Sequence, residues 1–275
     1  MSSPATTSRS AVRDETALAP AWRLEQIAIE TVRRAADLIS AGHGRAQRIA
    51  SKSSPTDVVT QTDLDAEGLI RRLLDDATPH AGLLGEEGGE TAPGHRLQWV
   101  IDPLDGTVNF LYGVPLFAVS IAAAVDGEVV AGAVIDVLRG EVFSAHRDGG
   151  ARLDGEPISV SSCVDLPAAL VATGFSYRAE VRDEQGAIVH RLLSRARDVR
   201  CFGSAALELC WVACGRVDAY YERDIKVWDY SAGAFIAREA GAVAELPCPE
   251  NNDLVIAATP GVFHEFRGVV QSPAV

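Results

Sequence analysis

The run Trp99-Val-Ile-Asp-Pro-Leu-Asp-Gly-Thr-Val-Asn109 carries the densest chemical signal in the 275-residue chain. The apolar stretch Leu97 to Ile101 predicts a short strand ending at Asp102-Pro103, because proline cannot donate to a ladder. Asp105 follows, and Gly106 relaxes the backbone so that a helix can begin near Thr107. Two carboxylates three positions apart beside a helix start can share a cation while free amides and the helix dipole face a phosphate. The same residue types also make turns and cap helices, so this stretch alone leaves both readings open.

Three more acidic segments flank it. Gly85-Glu86-Glu87-Gly88 follows the apolar pair Leu83-Leu84, and its glycines leave room for a ligand, although a solvated acidic loop has the same composition. Trp228-Asp229 opens an apolar run to Ala240, where Asp229 also suits a helix cap. Lys52-Ser-Ser-Pro precedes Thr62-Asp63, which stands at the start of another expected helix.

Helical spacing of apolar residues predicts helices over Trp22 to Ala41 and Leu64 to Ala77, the second ended by Pro79. Phe117 to Val125, Val129 to Val137 and Val142 to His146, separated by Asp126-Gly127 and Arg139-Gly140, read as an antiparallel meander. After Pro167 strands and helices alternate: a strand at Ala169–Ala172, helices near Glu184–Ala196 and Ala205–Cys214, a strand at Val217–Tyr221, a helix over Asp229–Ala240 and a strand at Leu254–Ala258. The fold class expected is therefore α/β, with an α+β N-terminal half over residues 21–155 and an α/β C-terminal half over residues 156–270. Residues 1–20 are expected to form a disordered tail.

Composition narrows the function. A net charge of −13 argues against nucleic acid as the main partner. The five cysteines include no CxxC pair and read as thiols in a reducing compartment. No apolar stretch of a signal peptide precedes Trp22, and no run approaches the roughly 18–20 apolar residues of a membrane span, so a cytoplasmic location is expected. There is no GxSxG nucleophile elbow and no GxGxxG, and all six histidines fall outside the acidic motifs.

Taken together, the ordered segments resemble the inositol monophosphatase family of metal-dependent, lithium-sensitive phosphatases. The residues carrying the resemblance are Lys52-Ser-Ser-Pro with Thr62-Asp63, Gly85-Glu86-Glu87, Trp99 to Asn109, Arg200-Cys-Phe-Gly-Ser-Ala205, Tyr221-Glu222 and Trp228-Asp229-Tyr-Ser-Ala-Gly233, within about residues 22–268. The resemblance implies a layered αβαβα sandwich like that of fructose-bisphosphatase, a homodimer, and two or three Mg²⁺ per site. Glu86, Asp102 and the carbonyl of Leu104 would hold one cation, and Asp102, Asp105 and Asp229 a second. Glu86, Thr107 and Asp63 are the implied catalytic residues, with Thr107 hydrogen-bonded to Asp63 to orient a water. Substrate contacts would come from Asp105, Gly106, Thr107, Val108, Arg200, Gly203, Ser204, Ala205, Glu222 and Asp229.

Acidic groups that accept from neighbouring hydroxyls suit a small phosphorylated polyol, with myo-inositol 1-phosphate first. Histidinol phosphate and fructose 1,6-bisphosphate are alternatives on the same site, and a non-catalytic regulatory binding protein is the alternative of another class. Gly88 and Gly89 depart from the family by replacing the polar residue that often follows the paired glutamates.

Overall fold

The computed structural model describes residues 18–43, 48–51, 58–248 and 253–272. Lys52-Ser-Ser-Pro and the expected tail up to residue 17 lie outside the described residues. The tail expectation is too long by its last few residues, because Leu18 and Ala19 pack against the core.

The chain begins with α1 (Ala21–Gly42), the small antiparallel pair β1 (Arg48–Ser51) and β2 (Val58–Thr60), and α2 (Gln61–Ala77). An eight-stranded sheet follows from β3 (Gly82–Gly85), β4 (Gly89–Thr91), β5 (Leu97–Asp105), β6 (Ala118–Val125), β7 (Glu128–Asp136), β8 (Val142–His146), β9 (Ala151–Leu153) and β10 (Glu156–Pro157). Its order is β10-β9-β8-β7-β6-β5-β3-β4, and the short helix α3 (Thr107–Tyr112) sits between β5 and β6. The expected meander is β6-β7-β8, antiparallel throughout.

A second sheet of five strands contains β11 (Leu170–Thr173), β12 (Asp198–Arg200), β13 (Ala219–Arg223), β14 (Val243–Glu245) and β15 (Leu254–Ala258), in the order β12-β11-β13-β15-β14. Its helices are α4 (Ala179–Leu192), α5 (Ala205–Ala213), α6 (Val227–Glu239) and α7 (Pro260–Gln271). The strand–helix alternation produces the parallel trio β12-β11-β13, while β15 runs antiparallel to β13.

The layers follow from which faces are apolar. The α1 residues Leu24, Ala28, Val32, Ala35 and Ile39 recur every three or four positions and cover the large sheet over β6 and β7, while α2 lies over β5. The opposite face of that sheet, including Val100, Ala122 and Val134, packs on α5 and α6. Those helices also cover one face of the small sheet, and α4 and α7 close the other through Ile188, Leu192, Val262 and Phe266. The result is an αβαβα sandwich. A sheet covered on both faces needs apolar residues on both, hence the buried run Ala118 to Ala124, apolar except for Ser120. For the same reason α5, in the middle layer, is buried at every position.

Several boundaries differ from the sequence reading. Strand β5 does not stop at Asp102-Pro103 but runs to Asp105, with a break in its pairing to β6 between those two aspartates. The pairing passes from Asp102 opposite Ser120 to Asp105 opposite Ala118, so two residues oppose one in a bulge. Pro103 sits in that bulge, where no ladder donor is required. Helix α4 starts at Ala179 rather than near Glu184, and α7 was not anticipated at all.

Candidate active site

The bulge in β5 turns Asp102 and Asp105 toward the same end of the large sheet. Asp102 is buried, and its Oδ1 accepts from the Leu104 amide at 3.1 Å. Asp105 Oδ2 accepts from Ser204 Oγ at 2.6 Å and from the Ala206 amide at 2.8 Å, so the start of α5 is fastened to the end of β5. Gly106 caps α3 with φ of 91°, a left-handed conformation costly for residues with a Cβ. A Cβ there would also lie 3.1 Å from Gly203 O.

Thr107 and Asp63 meet as the resemblance implies. Thr107 Oγ1 lies 3.0 Å from Asp63 Oδ1 and 2.9 Å from Leu104 O. Its single hydroxyl proton serves one of these acceptors at a time. Asp63 is fully buried as the third residue of α2, and its Oδ2 accepts from the Thr60 amide and hydroxyl. Its role as a helix cap is therefore real, and it leaves the other oxygen for Thr107.

Glu86 follows β3, and its amide donates to Ile101 O on the neighbouring β5 at 3.2 Å. Asp229 stands in the first turn of α6, where its Oδ2 accepts from the Lys226 amide at 2.6 Å. Asp229 is thus the third residue of α6 and caps it through the Lys226 amide, as Asp63 caps α2 through the Thr60 amide. Glu222, near the end of β13, is buried and accepts from Tyr220 Oη at 2.7 Å.

Electrostatics join these groups into one pocket. Burial pushes Asp102 well above the usual carboxylate range, and the charges of Glu86, Asp105 and Asp229 push it further. Asp229 is raised by burial first and by Glu86 next. Burial lifts Asp105 to about 6 despite the donors on Ser204, Ala206 and Ala205, and lifts Glu222 to about 7. Carboxylate charges thus raise Asp102 and Asp229, a repulsion that a hard, oxygen-seeking cation would relieve. Among the described residues no three carboxylates are already drawn to a single centre. The donors fit Mg²⁺ in kind, being the oxygen ligands that a hard cation prefers.

The remaining expected contacts divide. Gly203, with φ of 83°, and Ser204 and Ala205 border Asp105 and Gly106. Val108 is half-buried on α3. Arg200 is placed elsewhere: its guanidinium pairs with Asp198 at 2.7 Å and donates to Val199 O, not to Glu222 or any other carboxylate of the pocket.

Two residues without an assigned role in the sequence reading hold the loop before α5. Glu208 is buried, and its Oε1 accepts from the Phe202 and Gly203 amides at 2.8 and 2.9 Å. Asn109 Nδ2 donates to Phe202 O at 2.7 Å and Leu116 O at 2.9 Å. The available signal was a lone glutamate inside the otherwise apolar run Ala205 to Ala213.

Comparison with known proteins agrees with this geometry. Residues 21–271 match the inositol monophosphatase family. The inositol-1-monophosphatase of Mycobacterium leprae is 45% identical over 248 residues, covering 86% of this chain and 84% of that protein. The Nus factor SuhB of Escherichia coli K12 is 39% identical over 220 residues, covering 79% and 82% respectively. The solved structure of Mycobacterium tuberculosis SuhB superposes with a TM-score of 0.79 at 40% identity, covering 92% of this chain and 97% of that one. The layered fold is of the inositol monophosphatase and fructose-bisphosphatase architecture. The chain belongs to the inositol monophosphatase family and is a phosphoric monoester hydrolase.

Proposed function

We propose that this chain hydrolyses myo-inositol 1-phosphate, or a closely related small polyol phosphate, to the free polyol and phosphate with Mg²⁺ as cofactor. The observation carrying this reading is the buried pair Asp102 and Asp105 with the half-buried Asp229 and Glu86, beside the Thr107–Asp63 contact. Glu86, Asp102, Leu104 O, Asp105 and Asp229 would hold Mg²⁺. Bound there, the cation would supply Lewis-acid stabilisation of phosphoryl and leaving-group oxygens and make water more acidic.

The protein's own groups do the rest. Thr107 Oγ1 accepts a hydrogen bond from the attacking water while directing its own proton to Asp63 Oδ1, which orients the water. The first amides of α3, at Gly106, Thr107 and Val108, have no intrahelical acceptor and are free to hold phosphate oxygens. Helix α3 spans only six residues, so individual amide bonds outweigh any long-helix dipole. Asp105 and Glu222 offer carboxylate oxygens to adjacent hydroxyls of the polyol.

Phosphate release from inositol 1-phosphate, histidinol phosphate, fructose 1,6-bisphosphate and 3′-phosphoadenosine 5′-phosphate, with and without Mg²⁺, tests the reading. Mg²⁺-dependent turnover led by inositol 1-phosphate supports it. A different leading substrate keeps the chemistry and reassigns the polyol. No release from any of them rejects it.

A second, additional reading is favoured by relatives that carry the name Nus factor SuhB at 37–47% identity. A Nus-factor role on this scaffold need not use the carboxylates. Complementation of a strain lacking such a relative, by the wild-type chain and by Asp102→Asn, separates the two roles. Rescue by both supports the second role, and rescue by neither removes it.

For the assembly we propose a homodimer, as the family resemblance implies, and for the setting the cytoplasm, as the sequence reading expects. Among the described residues no helix is long and apolar enough to cross a membrane.

A further inference from the structure

Glu67 lies on α2, outside every motif quoted above, yet only 2% of it is exposed. A buried glutamate needs a reason, because desolvating its charge is costly unless partners compensate. Its carboxylate faces the loop after β3. Oε2 accepts from the Glu87 amide at 2.7 Å, while Oε1 accepts from the Gly88 amide at 2.8 Å and from Arg71 Nε at 2.6 Å. Arg71, one turn further along α2, also donates through NH2 to Gly89 O at 2.6 Å. On the other side of the loop, the Glu86 amide donates to Ile101 O on β5. The backbone around Glu86 is therefore held from the sheet on one side and from α2 on the other.

The two glycines framing Glu86-Glu87 show how closely the clamp approaches. A Cβ at Gly85 would lie 2.4 Å from Glu67 Oε1, and one at Gly88 would lie 2.7 Å from it and 2.8 Å from Arg71 Nε. Neither position admits a side chain without displacing the carboxylate. This accounts for glycine at position 88, where the family often carries a polar residue.

We propose that Glu67 and Arg71 are positioning residues for Glu86, setting the affinity of the site for Mg²⁺ through the loop rather than by touching the cation. The inference rests on the reading of Glu86 as a metal ligand. An (i, i+4) ion pair with a merely structural role would stabilise α2 slightly and leave cation affinity alone. A clamp on a ligand loop acts as an outer shell does and changes metal affinity about 10–100-fold when removed.

The test uses the full chain as wild type, Glu67→Ala, Glu67→Gln and Arg71→Ala, with two readouts besides activity. Calorimetric Mg²⁺ titration should show at least about tenfold weaker binding in Glu67→Ala and Arg71→Ala, with Glu67→Gln between them and wild type. Hydrogen exchange in chelated protein should show the Glu87 and Gly88 amides exchanging faster in Glu67→Ala. At saturating Mg²⁺ the turnover number should stay within about twofold of wild type, since no reacting atom is removed. Arg71, partly exposed, supplies the result should Glu67→Ala not fold. Wild-type Mg²⁺ binding with unchanged affinity in folded variants overturns the inference alone. No Mg²⁺ binding by the wild type overturns the metal reading and the inference with it.

Discussion

Ser204 Oγ donates to Asp105 Oδ2 at 2.6 Å, joining residues 99 positions apart and fastening the first turn of α5 to the end of β5. Ser204 is also the residue that caps α5, accepting from the Leu207 amide. One hydroxyl thereby aligns a helix start with a carboxylate assigned to both cation and substrate. Replacing Ser204 with Ala removes a hydrogen bond to a charged group, worth about 1.5–3 kcal/mol. The expected result is a roughly 10- to 100-fold fall in kcat/KM with a melting temperature lowered by a few degrees. Steady-state kinetics and a thermal melt on the same preparation check it.

The raised carboxylates make a prediction about stability in the absence of metal. Asp105 at about 6 and Glu222 at about 7 both lie above their unfolded values, so the folded chain binds more protons between about pH 4 and 7. Asp102, Asp229 and Glu208 shift in the same direction. The stability they contribute is fully present below the unfolded values and is lost as pH rises through the folded ones. Chelated protein should therefore melt at a higher temperature near pH 5 than near pH 8. Added Mg²⁺ should raise the melting temperature most at pH 8, and Glu222→Gln should flatten the chelated slope. Paired carboxylates such as Asp126 and Glu141, held below their ordinary values, act only at lower pH.

Glu208 gives a prediction that separates hydrogen bonding from charge. Burial holds its carboxyl well above the normal range while two loop amides bond one oxygen. Glu208→Gln keeps an acceptor in that place and should retain KM for the substrate within a fewfold. Glu208→Ala leaves the Phe202 and Gly203 amides without it, at about 1–3 kcal/mol per buried unsatisfied group. KM should rise more than kcat falls, because the loop borders the pocket rather than the attacking water. Equal kinetics for the two variants would remove the loop-holding role.

Asn109 clamps the same loop from the other side through Phe202 O. Asn109→Ala combined with Glu208→Ala should be less harmful than the product of the single effects, since both hold one segment. A double-mutant cycle on KM measures that coupling, and strict additivity would argue that the loop is fixed by other means.

Much of this arrangement was legible beforehand. The 3.6-residue spacing in α1 and the turns at Asp126-Gly127 and Arg139-Gly140 place those elements directly. The ordered acidic segments pointed to the site through their resemblance to the family, since each alone also reads as a turn or a helix cap. Strand β5 running through Pro103 was not legible, since only the pairing with β6 reveals that the proline occupies a bulge. Helix α7 was missed although Pro260 and the apolar spacing of Val262, Phe266, Val269 and Val270 were available. Glu67 and Glu208 were unreadable for a different reason. A charged residue on a helix is ordinarily solvated, and only the three-dimensional packing places a backbone loop against each.

The central claim is that the carboxylates at the end of β5 support cation-dependent hydrolysis. The most direct measurement is phosphate release from inositol 1-phosphate by wild type and Asp102→Asn across a Mg²⁺ titration, with folding followed by circular dichroism. The account predicts a folded variant with turnover reduced at least about a thousandfold at every Mg²⁺ concentration, a loss of roughly 4 kcal/mol of transition-state stabilisation. Folded Asp102→Asn with wild-type turnover, or full activity of the wild type in excess chelator, would contradict it.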